Sequence, residues 1–91
     1  MTLEEIHIEL LQLKDSFINE KDWRYARKAF EILDDFEDEY RNDFSEYAGY
    51  SENLIRIRNS ILMVDRTNAE AQFIHGMSSI TDIVSRELDS K

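Results

Sequence analysis

The apolar residues fall into four runs with helical spacing. The first is Leu3, Ile6, Leu10, Leu13 and Phe17, a 3-4-3-4 rhythm that lays one stripe along a helix. Ile8, Leu11 and Ile18 widen that stripe to a broad face. Thr2 and Glu5 form a capping box, in which hydroxyl and carboxylate each satisfy an otherwise unpaired backbone N–H. The pattern predicts a helix over about 3–19. Asn19-Glu20-Lys21-Asp22 reads as a polar turn, with Asp22 as N-cap of the next helix.

Trp23, Ala26, Phe30, Leu33, Phe36, Tyr40 and Phe44 then recur at helical intervals and predict a long second helix over about 23–46. Its bases (Arg24, Arg27, Lys28) come early and its acids (Asp34, Asp35, Glu37, Asp38, Glu39) come late. Acids are disfavoured near a helix C-terminus, which points to a bend or break near Asp38–Asp43. Ala48-Gly49-Tyr50-Ser51 reads as the clearest break in the chain, with Gly49 as a left-handed helix stop and Ser51 as the next cap. A third helix over about 52–64 carries Leu54, Ile57, Ile61 and Val64, flanked by Ile55 and Leu62. After a turn at Asp65-Arg66, Thr67 and Glu70 suggest a second capping box. A fourth helix over about 68–88 then presents Phe73, Met77, Ile80, Val84 and Leu88. Four amphipathic segments with short links predict an all-α fold, an antiparallel bundle forming one domain over 1–91, with Phe30 and Ile61 in its core.

Composition agrees with helix. There is no proline and there are only two glycines, too few for the turns of an all-β fold. With 42% hydrophobic residues the chain is too apolar for intrinsic disorder, although 91 residues make only a thin core. Without cysteine it has no disulfide, thiolate metal site or thiol nucleophile. The acidic start Met1-Thr2-Leu3-Glu4-Glu5 is unlike a signal peptide and no apolar run approaches 18 residues, so a cytoplasmic location is expected. A net charge of −9 repels nucleic-acid phosphate and anionic lipid, and suits a basic partner protein.

Two stretches resemble pieces of the tetratricopeptide repeat, a helix-turn-helix unit that stacks into peptide-binding arrays. Asp22-Trp23 followed by Ala26, Phe30 and Leu33 is similar to the start and core of the repeat's second helix. Asp65-Arg66-Thr67-Asn68-Ala69-Glu70-Ala71-Gln72 with Gly76 is similar to a repeat boundary running into a first helix. Arg66 stands where the family usually has Pro, and Gln72 where it often has an aromatic. The two pieces fall about four residues short of the 34-residue repeat register. The resemblance implies a helical protein-interaction module in which Ala26 and Gly76 let neighbouring helices approach closely.

Few residues suggest chemistry. Glu4-x-x-His7 has the spacing that di-iron bundles use, but His75, the other histidine, has Gln72 at the matching position. A metal-binding bundle is therefore only a remote alternative; no metal or cofactor is expected. No catalytic triad, phosphate loop or calcium loop is present, and the chain reads as a binding protein, not an enzyme.

The densest feature is acidic and aromatic. Asp34, Asp35, Glu37, Asp38, Glu39, Asp43 and Glu46 are seven carboxylates within thirteen residues, interleaved with Phe36, Tyr40, Phe44, Tyr47 and Tyr50. Phe36, Tyr40 and Phe44 are expected inside, Tyr47 and Tyr50 outside. Acids that steer a basic partner beside exposed aromatics that anchor it make a docking face. Its candidate partner-binding residues are Asp34, Asp35, Asp38, Glu39, Asp43, Glu46, Tyr47 and Tyr50. The expected function is a small acidic helical module that masks or regulates a basic partner protein, of the immunity-protein or phage-inhibitor type. The alternative is a self-associating structural or adaptor subunit, suggested by apolar residues around much of the first helix (Ile6, Ile8, Leu10, Leu11, Leu13).

Overall fold

The computed structural model describes residues 2–40 and 47–89, the side chains of Glu39, Tyr40 and Tyr47 excepted. The expectations for Asp43, Phe44 and Glu46, and for the side chains of Glu39, Tyr40 and Tyr47, lie outside the described residues. The helices are α1 (Leu3–Glu20), α2 (Trp23–Tyr40), α3 (Tyr47–Leu62) and α4 (Ala69–Asp89). No strand occurs among the described residues.

The capping box is present at the start of α1. Glu5 N–H donates to Thr2 Oγ1 at 3.1 Å, and Thr2 N–H donates to Glu5 Oε1 at 3.0 Å. The helix ends where Lys21 turns left-handed, at φ 56°, and its N–H donates to the Phe17 carbonyl at 2.8 Å. Leu3, Ile6, Leu10, Leu13 and Phe17, the stripe marked by spacing, are buried. Leu11 is half-buried, while Ile8 and Ile18 are exposed. Asp22 caps α2 by accepting from Arg24 N–H at 3.0 Å.

The buried residues of α2 are Ala26, Ala29, Leu33 and Phe36. Phe30, expected in the core, is only half-buried against its edge. Ala26, Leu33 and Phe36 are buried as expected, and only at Phe30 does the neighbouring Ala29 take the inner place. Small side chains there let the backbone of α2 approach its neighbours closely, and the larger ring is left at the groove beside it.

The expected break at Ala48–Ser51 is helix. Tyr47 already begins α3, Gly49 has no left-handed backbone, and Ser51 lies within the helix rather than capping it. Gly49 packs inward instead: a Cβ there would sit 3.5 Å from Ile83 Cδ1 on α4. Tyr50, expected outside, is fully buried. Its ring shares the inner face with Leu54 and Ile57, and its hydroxyl donates to the Leu33 carbonyl of α2 at 2.9 Å. A phenol can be buried when its one donor is satisfied in this way.

At its far end α3 stops at Leu62. Val64 is therefore exposed, and Ile61 is half-buried rather than central. The inner face is completed by two polar residues that bond back to their own helix. Asn53 Nδ2 donates to Gly49 O at 2.8 Å and Ser60 Oγ donates to Ile57 O at 2.7 Å. The second capping box does not form: α4 begins at Ala69, with Asn68 O accepting from Gln72 N–H, and the Glu70 carboxylate pairs with Lys21.

Along α4, Phe73, Met77, Ile80 and Val84 are buried as expected, joined by Gly76 and Ile83, while Leu88 is half-buried. A Cβ on Gly76 would meet Ile57 Cγ1 at 2.8 Å and Asn53 O at 3.3 Å, so only glycine fits the α3–α4 contact without a shift. The helices form a packed bundle in which α1 lies against α2 and α4, and α3 against α2 and α4. Phe17, Trp23 and Phe73 join three of them edge to face, with ring centroids 4.5–6.0 Å apart. No described helix is long and apolar enough to cross a membrane.

Candidate docking face

Phe30, Asp34 and Glu37 sit four and three residues apart and so share one face of α2. With Leu54, Ile55 and Arg58 of α3 they line a groove of about 240 Å³. Asp34 is exposed at the groove, and Asp35 and Asp38 are exposed on the same helix. Lys21 with Glu70 and Arg24 with Asp22 at 2.6 Å pair near the α1–α2 turn, and Lys28 with Glu9 at 3.9 Å joins the two helices. Among the described residues, then, Asp34, Asp35 and Asp38 form no ion pair, although Arg58 lines the groove with Asp34.

The structure redistributes the expected site. Asp34 lines the groove, with Asp35 and Asp38 nearby on the same helix. Glu39 belongs to α2 and Tyr47 opens α3, but their side chains are outside the described set. Tyr50 lies in the core and has no surface to offer a partner. The aromatic beside the acids is Phe30, and a basic residue, Arg58, faces them from α3. Helical spacing from Phe30 to Asp34 and Glu37 could have marked this face. Assigning Phe30 to the core hid it.

Three shifted pKa values lie around the helix ends. Hydrogen bonds from the Arg24 side chain and backbone bring Asp22 from its ordinary 3.8 down to about 2. Glu5 is lowered by the Thr2 backbone and hydroxyl that it caps. Tyr25 is raised because its hydroxyl donates to the Glu20 carboxylate at 2.7 Å.

A second groove, of about 330 Å³, lies between the end of α3 and the start of α4; Glu52, Ile55, Arg56, Asn59, Met63 and Arg66 are among its lining residues. The two histidines do not build a centre. His7 is half-buried on α1, His75 is exposed on α4, and among the described residues no three His, Asp or Glu side chains converge as a metal site would need. No protein-family model, curated protein or solved structure matches the chain.

Proposed function

We propose that this protein is a binding module, not an enzyme, that docks a basic partner protein on the α2–α3 groove and thereby masks or regulates it. The observation that carries this reading is the exposed Asp34 carboxylate in one groove with the half-buried ring of Phe30, with Asp35 and Asp38 exposed on the same helix and in no ion pair among the described residues. Like charges at adjacent turns of a helix repel and slightly oppose folding. A partner's lysines or arginines relieve that repulsion, steer the encounter, and leave Phe30 as an apolar anchor. The same reading takes the helices as an antiparallel bundle. Contacts in opposed order support it: Glu9 with Lys28 and Phe17 with Trp23, then Gly49 with Ile83 and Gly76 with Ile57.

The test is co-purification from the native host, then affinity measurements on the partner recovered. Replacing Asp34, Asp35 and Asp38 with Asn should leave melting unchanged or slightly higher. It should slow association about tenfold or more at low salt, with a weaker salt dependence. Unchanged association at low and physiological salt would overturn the reading.

A further inference from the structure

We infer that the α3–α4 groove is a self-association surface, and that its occupant is a second copy of this chain related by a two-fold axis. Four large apolar side chains stand exposed along this end of α3 and its turn: Ile55 (49%), Leu62 (71%), Met63 (43%) and Val64 (41%). The other large apolar side chains left exposed among the described residues, Ile8 and Ile18, lie far off in sequence on α1. A cluster of this kind, edged by charged residues, marks an interaction surface more often than a solvated one.

The charges select the occupant. The basic partner suited to the acidic groove does not suit this one, because two cations, Arg56 and Arg66, line it against one carboxylate, Glu52. Arg56 Nη1 bonds only the neutral Asn53 Oδ1, at 2.7 Å, and neither Arg56, Arg66 nor Glu52 has an ion-pair partner among the described residues. A groove lined by uncompensated charges of both signs is complementary to itself.

The order of residues along the chain matches what a two-fold axis demands, namely that residue i meets j while j meets i. Asn59 lies midway in sequence between Ile55 and Met63, and also midway between Glu52 and Arg66. When two copies meet in opposite directions at Asn59, each Ile55 lies toward Met63 of the second copy and each Glu52 toward Arg66. Two apolar contacts and two ion pairs form together, and the Asn59 amides face each other as reciprocal donors and acceptors.

Analytical ultracentrifugation of the full chain tests the inference without reference to any other partner, so its failure is separate from failure of the acidic-groove reading. Wild type should sediment as a dimer. The Ile55→Glu/Met63→Glu double variant should sediment as a monomer with unchanged helical circular dichroism, because both positions are solvent-accessible in the single chain. Glu52→Arg and Arg66→Glu, also at exposed positions, should each be monomeric alone. Mixed, they should form a 1:1 heterodimer, in which every crossed pair again joins opposite charges. A wild type that stays monomeric up to about 1 mM, a double variant that still dimerises, or no heterodimer on mixing overturns the proposal. Binding of an unrelated protein in this groove by a monomeric chain overturns it equally.

Discussion

The junction of α1, α2 and α4 and the turn between α3 and α4 use similar apolar residues to opposite effect. At the junction, Phe17 is 1% exposed, with its ring centroid 4.9 Å from Trp23 and 4.5 Å from Phe73. Polar contacts close the chain ends around it: Lys21 pairs with Glu70, and the left-handed Lys21 residue stops α1. At the turn, Leu62, Met63 and Val64 run consecutively and all stand exposed. Helical spacing put Phe17, Trp23 and Phe73 on inward stripes, and at the turn it did the same for Val64, with Leu62 at its flank. What separates them is a neighbour: three helices converge at the junction, whereas α3 ends at Leu62 and the described helices leave Met63 and Val64 exposed beyond it. Apolar residues that stabilise the first region do little for the fold in the second, and that imbalance is why the turn reads as an interface.

The sharpest way to test the contrast is to remove the ring at the centre of the junction. Phe17→Ala should cost about 3–5 kcal/mol, since it leaves a cavity that two rigid aromatic neighbours cannot collapse into. For a domain this small that is a large share of the total stability. Chemical denaturation with unchanged slope measures it, and a loss below about 1 kcal/mol would mean that the junction is not the stabilising centre.

Gly76→Val probes the close helix contact that lies between the two regions. Its Cβ would stand 2.8 Å from Ile57 Cγ1, and Ile57 is itself fully buried and has little room to move. The expected loss is about 1–3 kcal/mol by overpacking. A variant as stable as wild type would show that α3 and α4 can separate without penalty.

A smaller effect is expected at the cap beside the junction. Asp22→Ala should lower the melting temperature by about a few degrees at neutral pH, because α2 loses its capping carboxylate. The Asp22 pKa is depressed in the folded chain, so its contribution is full above the ordinary 3.8 and is lost as pH falls toward about 2. Melting curves of wild type and variant should therefore converge across that window. A gap that persists unchanged to pH 2 would assign the effect to something other than the carboxylate charge.

Least should happen at the turn. Met63→Ser removes an exposed apolar side chain, and the stability of the single chain should change by no more than about 0.5 kcal/mol. Measured at low concentration, where association is absent, a substantially larger loss would make Met63 part of the folding core and erase the contrast with Phe17.

Both grooves border α3, and α3 is where sequence and structure part most. Strict spacing carried α1 and α4, and local capping carried the start of α1: Leu3 through Phe17 and Phe73 through Val84 hold one phase, and Thr2 and Glu5 close their own box. These features depend on residues three or four apart, so the sequence by itself determined that the chain is helical, where α1 begins, and which faces of α1 and α4 turn inward. The acidity of the second half of α2 was legible in the same way. Tertiary structure decided the rest. Gly49 continues a helix beside Ile83 of α4, and Tyr50 goes inward where the Leu33 carbonyl of another helix accepts its hydroxyl. Phe30 is displaced to a groove because Ala29 allows a closer approach than a ring could. Each of those outcomes turns on an atom distant in sequence, and local propensity is too weak, at a fraction of a kcal/mol per residue, to overrule such contacts.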